Sequence, residues 1–227
     1  MGPRVVIIGA GVVGAALADE LSALGWTSVT VVDQGPLPAP GGSTSHAPGL
    51  VFQANGAKVM SQLARYTVEK FVALDCFDQV GSVEVATTPQ RLAELRRRHG
   101  WATAWGIEAH LLSPEETLAR YDLLDPEIVL GSLWVPTDGL ARAVAAVTAQ
   151  LDRATGRGVV VRDSTEVLDI RVEDGAVRAV VTDSGELPAD VVVCCAGIWG
   201  PKVGALAGVT VPLTPLAHQL AQSGPLP

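Results

Sequence analysis

Residues 4–33 read RVVIIGAGVVGAALADELSALGWTSVTVVD, and this stretch decides the fold. Val5, Val6, Ile7 and Ile8 are a continuous apolar, β-branched run, the pattern of a parallel strand covered on both faces. Gly9, Gly11 and Gly14 follow in G-x-G-x-x-G spacing. In a strand–turn–helix of this kind the first glycine makes the tight turn, the second admits a pyrophosphate to the backbone, and the third lets helix and strand pack closely. The spacing predicts a helix from Val12 to Leu24, stopped by Gly25. Its free N–H groups, at Val12 and Val13 first, and its positive dipole end point at the phosphates. A second strand, Val29–Val32, ends at Asp33, whose carboxylate suits the ribose hydroxyls of an adenosine, with Gln34 beside it. An acid here with no Arg directly after it favours a free 2′-hydroxyl over a 2′-phosphate. NAD and FAD both satisfy this much.

Composition narrows the class. Hydrophobic residues make up 48% and charged residues 18%, a globular balance. With 16 basic against 24 acidic residues the net charge is −8, which argues against nucleic acid or an anionic membrane as partner. Arg96, Arg97 and Arg98 form a basic run in a helical pattern beside Glu94 and read as a solvated face. The three cysteines, Cys76, Cys194 and Cys195, form no C-x-x-C pair, so neither a disulfide framework nor a metal site is expected. Cys194 and Cys195 read as buried packing residues of a strand. The first strand begins almost at Met1 with no signal-peptide pattern before it, so the chain reads as cytoplasmic.

Residues 34–50, QGPLPAPGGSTSHAPGL, are too rich in Gly and Pro for a helix or an interior strand. Placed after the second strand, this loop lies beside the cofactor crevice. Gly42, Ser43, Ser45 and His46 are its candidate contacts to a phosphate or a flavin ring. Beyond it, residues 58–74 read as an amphipathic helix, a strand carries Val83 and Val85, and a helix starts at Pro89 behind Thr88. Another helix starts at Ser113 with the Ser113/Glu116 capping box. A Thr-Asp-Gly turn at 137–139 leads to an Ala-rich helix. Strands at 159–162, 166–172, 176–182 and 190–195 then lead into Ala196-Gly197-Ile198-Trp199-Gly200.

The string GGSTSHAPGLVFQ, after GAGVVG and VVDQG, resembles the D-amino-acid-oxidase superfamily of flavoproteins, and within it the dimethylglycine oxidase and sarcosine/dimethylglycine dehydrogenase group. The resemblance implies a Rossmann-like α/β FAD/NAD(P)-binding fold of the glutathione-reductase type with part of an inserted α+β substrate domain. It implies an FAD domain at 1–80 and 136–210, an insertion at 81–135, and the start of a substrate-domain strand at 211–227. It implies FAD as cofactor, joined covalently to His46, with Val167 near the adenine and Ala196, Gly197 and Trp199 near the diphosphate. The PLAHQ string makes His218 the candidate catalytic residue at the amine. The activity implied is oxidation of a small secondary or tertiary N-methyl amine by hydride transfer. Electrons would go to oxygen or a carrier flavoprotein, and folate is a possible one-carbon acceptor in a full-length protein. Later parts of the family architecture have no counterpart in these residues, so the chain reads as a front portion. The competing readings are a catalytically incomplete nucleotide-binding fragment and another flavin amine oxidase.

Overall fold

The protein is described by a computed structural model that covers residues 2–217 together with Gln219 and Gly224. In chain order the elements are β1 (Val5–Ile8), α1 (Val12–Ala23), β2 (Val29–Val32), α2 (Ser43–His46), β3 (Leu50–Val51), α3 (Lys58–Ala73) and β4 (Phe77–Asp78). There follow β5 (Ser82–Ala86), α4 (Pro89–Ala104), β6 (His110–Leu112), α5 (Pro114–Arg120), β7 (Gly131–Val135), β8 (Gly139–Ala141) and α6 (Ala143–Gly156). The last are β9 (Val160–Arg162), β10 (Val167–Glu173), β11 (Ala176–Thr182), β12 (Gly185–Pro188), β13 (Val191–Cys194) and α7 (Gly200–Leu206), the last preceded by a 3-10 turn over Gly197–Trp199.

The chain divides into two compact units, residues 1–46 with 147–227, and residues 47–146. In the first, β13, β1, β2 and β9 lie side by side in that order as a parallel sheet. All four residues of β1 are buried, and their alternation sends them to two different cores. Val5 and Ile7 pack with Ala15, Ala18, Val147, Leu151 and Ala154 on the side of α1 and α6. Val6 and Ile8 pack with Ile170, Val180, Leu187 and Val203, from the antiparallel β10–β11–β12 sheet and α7. Two covered faces are the reason for the unbroken apolar run, and each buried Val or Ile contributes about 1.5–3 kcal/mol. Helix α1 stops as expected. Gly25, at φ +88°, lets the Gly25 N–H reach the Ser22 carbonyl and the Trp26 N–H reach the Leu21 carbonyl, a Schellman ending.

The second unit holds two antiparallel sheets, β5–β7–β6 and β3–β8–β4. Its core is Ala86, Leu95, Ala102, Ile107, Leu133 and Val135. Thr88 caps α4, and the capping box at Ser113 and Glu116 is formed in both directions. The expected boundaries at 80/81 and 135/136 differ from this division. Residues 49–51 and 77–78 pair with β8, which gathers 47–80 into the second unit with the expected insertion.

Four local readings change. Ser43–His46 is a one-turn helix inside the segment read as loop, closed by the Ser45 N–H on the Gly42 carbonyl. Residues 211–217, the described part of the segment expected to start a strand, carry no regular element. Arg96 and Arg97 are exposed, but Arg98 is partly buried, with its guanidinium between Glu84 and Glu94. Cys194 is exposed and Cys195 half-buried, because β13 is an edge strand of its sheet. Among the described residues no helix is long and apolar enough to cross a membrane.

Candidate functional site

At the carboxyl ends of β1, β2 and β13 the first unit opens into a cavity of about 210 Å³. Open α/β sheets take ligands at this edge. The glycine turn builds its floor. Gly9 sits at φ +109°, and a Cβ there would stand 2.4 Å from the Cys195 carbonyl oxygen. A Cβ on Gly14 would stand 1.9 Å from the Gly9 carbonyl oxygen, so helix and turn touch backbone to backbone. Gly11 is the N-cap of α1 and supplies no side-chain cap. The first N–H groups of α1 have no acceptor within the helix. Val12 donates its N–H to Thr44 Oγ1 at 3.0 Å, and Val13 is 64% exposed at the cavity.

Asp33 stands at the end of β2. Its Oδ2 accepts the Ala10 N–H at 2.7 Å and its Oδ1 the Gly35 N–H at 2.9 Å. A carboxylate offers about four lone-pair sites, so two remain for ligand hydroxyls. The acid is held by neutral donors, and among the described residues no cation pairs with it. The Asp33 carbonyl also accepts the Thr165 N–H at 2.7 Å, which draws the start of β10 to the cavity.

Of the residues expected at the cofactor, Gly9, Gly11, Val12, Val13, Asp33 and Gln34 line this cavity. Gly42, Ser43, Val167, Ala196, Gly197 and Trp199 line it too. Gly14 lies beneath the turn, and Ser45 and His46 lie outside the lining. Ser45 Oγ is buried and has no hydrogen-bond partner among the described residues, an acceptor and donor left open beside the crevice. His46 is exposed, with Nδ1 3.0 Å from the Gly42 carbonyl oxygen. A carbonyl only accepts, so Nδ1 is the donor in this contact, which leaves Nε2 as the open ring nitrogen. His218 falls outside the described residues.

Sequence reading missed Thr44, Glu166, Cys195, Lys202, Val203 and Leu206, all of which line the cavity. Thr44 lies between Ser43 and Ser45, two residues already expected at the crevice, and Val203 and Leu206 lie at helical spacing after the small-residue turn. Glu166 and Lys202 meet from 36 residues apart, with no local signal.

The other buried acid of note has a different setting. In the second unit Asp138 is 1% exposed and accepts from Gln53 N at 3.0 Å, Gln53 Nε2 at 3.2 Å and Ser82 Oγ at 2.6 Å. Burial pushes its carboxyl above the ordinary carboxylate range, against the pull of those hydrogen bonds. It ties together segments of the chain and has no open side. Among the described residues no group of His, Cys, Asp and Glu is arranged to hold a metal ion.

A donor set of helix N-terminus, glycine turn and ribose-facing acid fits a dinucleotide, and comparison with known proteins names which. The family model described as DAO, FAD dependent oxidoreductase, matches residues 4–227. Sarcosine dehydrogenase of Mus musculus is 34% identical over 95% of this chain, and dimethylglycine dehydrogenase of Rattus norvegicus is 28% identical over 98%. The chain spans 25% and 26% of those two proteins' lengths. The crystal structure of L-proline dehydrogenase from P. horikoshii superposes with a TM-score of 0.85 at 26% identity, covering 91% of this chain and 56% of that one. The chain belongs to the DAO family of FAD-dependent oxidoreductases, with sarcosine and dimethylglycine dehydrogenases among its relatives.

Proposed function

We propose that the chain serves the oxidation of a small N-methyl amine of the sarcosine or dimethylglycine type, with FAD carried covalently on His46. The observation that carries this reading is the crevice of neutral donors followed, along one short loop, by a histidine with a committed Nδ1 and an open Nε2. FAD, when bound, supplies the acceptor for the two electrons of the amine C–H bond. The chain's own residues supply the rest. The first turn of α1 and the Ala196–Gly197 turn hold the diphosphate, and Asp33 takes the ribose hydroxyls with its two spare lone pairs. Val167 meets the adenine with its backbone. Ser45 Oγ, unpartnered in the described structure, is a donor in reserve for the segment between diphosphate and ring.

His46 Nε2 is the atom of attachment, since the hydrogen bond from Nδ1 to Gly42 fixes the tautomer that leaves it nucleophilic. The amine must arrive uncharged, because an ammonium has no lone pair to push. His218 is assigned that proton. Oxygen or a carrier flavoprotein as electron acceptor, and folate as one-carbon acceptor, belong to the same reading.

The test is acid denaturation of the protein purified with its flavin. Flavin absorbance should stay with the polypeptide, and His46→Ala should release it while ADP still binds. Unchanged attachment in His46→Ala overturns the link. Absence of turnover with sarcosine and dimethylglycine, in a protein that retains its flavin, overturns the substrate class and favours another flavin amine oxidase.

A further inference from the structure

The turn that carries His46 is fastened to α1 by one side chain. Gly11, the N-cap of α1, has no side chain to offer the helix, and a residue 32 positions away takes that part: the Val12 N–H donates to Thr44 Oγ1 at 3.0 Å. A Cβ on Gly11 would stand 3.1 Å from the same oxygen, tighter than an ordinary contact, so the missing Cβ leaves the room in which the hydroxyl sits. Gly11 lies at φ −67°, open to any residue, so its use here is the space and not the backbone angle.

Thr44 is the second residue of the one-turn helix Ser43–His46. The Gly42 carbonyl closes that turn on the Ser45 N–H at 3.1 Å and also accepts from His46 Nδ1 at 3.0 Å. Among the described residues no other hydrogen bond joins this turn to a neighbouring element. The path from helix terminus to histidine is therefore the Val12 N–H, Thr44, a single turn of chain, the Gly42 carbonyl and His46 Nδ1. Its first link commits the Val12 N–H to the turn and leaves the N–H groups that follow for a ligand, and Val13 is exposed at the cavity.

We propose that Thr44, seated in the space left by Gly11, is a positioning residue that ties the His46 turn to the N-terminus of α1, so that a ligand bound at the helix terminus and the His46 ring are held at one spacing. The proposal rests on the functional reading above for its ligand and deepens it by naming what joins crevice to histidine. Because turn and helix terminus share this bond, a ligand that orders one orders the other, and by linkage the coupling runs both ways. Ser45 lies outside the cavity lining, so order reaches it through the turn.

Amide hydrogen exchange followed by NMR on the chain, free and with ADP, tests this. Thr44→Val keeps the side chain's shape and removes the acceptor. In the free protein it should speed exchange of the Val12 and Ser45 N–H groups about threefold to tenfold, the weight of one hydrogen bond. Gly11→Ala, which crowds the hydroxyl, should speed the same two amides, and the double variant should go no further than Thr44→Val alone. Thr44→Ser, which keeps the acceptor, should restore the parent's rates. ADP should slow exchange at Ser45 about tenfold in the parent and no more than about twofold in Thr44→Val. Its affinity, from calorimetry, should stay within about threefold, because the released Val12 N–H becomes a further donor for phosphate. A thermal melt checks that the variants stay folded. Parent exchange rates in Thr44→Val, or equal protection of Ser45 by ADP in both proteins, overturn the proposal and leave the crevice's assignment standing. A far larger loss of ADP affinity overturns it too, since Thr44 would then belong to the nucleotide's own seat. Binding of no ADP by the parent overturns the crevice's assignment and this use of the tie together.

Discussion

The two ends of the parallel sheet treat a carboxylate in opposite ways. At the carboxyl end Asp33 is held by two neutral backbone N–H groups and keeps acceptor capacity for a ligand. At the amino end Asp190 is closed by Arg4, whose backbone N–H and Nε reach Oδ2 at 2.8 and 3.0 Å while its terminal nitrogen reaches Oδ1 at 2.6 Å. A hollow of about 280 Å³ lies at that amino end, lined by Arg4, Val5, Thr27 and Val160 among others. It has no helix N-terminus and no open acid among its described lining residues. Chemistry marks the site. At one end the acid is oriented by neutral donors and keeps an open side, and at the other the acid is neutralised by a cation.

The largest effect should come from the floor of the carboxyl end. Gly14→Ala forces a Cβ to 1.9 Å from the Gly9 carbonyl oxygen, so the turn must open and stability should fall by about 3 kcal/mol in urea unfolding. If the variant unfolds at the same urea concentration as the parent, the backbone contact of turn and helix is not what shapes this end.

Asp138 sharpens the contrast, as an acid held by neutral donors but sealed. Asp138→Ala strands the Gln53 N–H and Ser82 hydroxyl and should cost about 2–3 kcal/mol. Asp138→Asn should be tolerated, since its carbonyl keeps both Gln53 bonds and its amide donates to Ser82 Oγ. The sign of the pH effect follows from burial. With the folded pKa raised, this group's contribution is complete below the unfolded value of about 3.9 and declines as pH rises through the folded value. Asp138→Asn should remove that decline from the pH dependence of the urea midpoint; an identical profile would contradict the assignment.

Asp33→Ala should act on binding more than on folding. Loss of the acid's bonds to ribose hydroxyls should weaken ADP about tenfold to hundredfold, as for hydrogen bonds to charged groups. The carboxylate that leaves lines the cavity, so water can enter in its place and take up the freed Ala10 and Gly35 N–H groups, and the loss of stability should stay near about 1 kcal/mol. A drop in the unfolding midpoint without a drop in ADP affinity would make Asp33 a structural acid like Asp138.

What could be read from sequence follows the range of the interactions. The β1–α1–β2 unit is legible because its apolar run, glycine spacing and terminal acid all fall within residues 4–33. The capping box at Ser113 is legible for the same reason. The one-turn helix at Ser43–His46 is not, because four residues carry too little periodicity to register and the Val12–Thr44 contact spans 32 residues. Strand β8 escaped notice because it owes its conformation to β3 and β4, far away in sequence. His46 gained its role from a resemblance in the flanking string. Its tautomer, by contrast, needed the distance to Gly42. The Glu166–Lys202 ion pair at the cavity could come only from the fold.

The smallest effect belongs to the amino end, and it separates the two ends most cleanly. Hydrogen bonds from the Arg4 guanidinium, then from its backbone N–H, hold the Asp190 carboxyl down at about 2. A folded pKa below the unfolded value of about 3.9 means that its contribution is present above that value and lost as pH falls through about 2. Both side chains are about half exposed, so salt screens the pair and its weight in stability is slight. Asp190→Asn should therefore leave ADP affinity within about twofold, as expected for a surface pair remote from the ligand. It should also flatten the acid limb of the stability profile between about pH 4 and pH 2, the interval between the two pKa values. High salt should flatten the same limb in the parent protein. If Asp190→Asn instead weakens ADP as strongly as Asp33→Ala, the sheet transmits strain from one end to the other, and the division of labour between its two carboxylates fails.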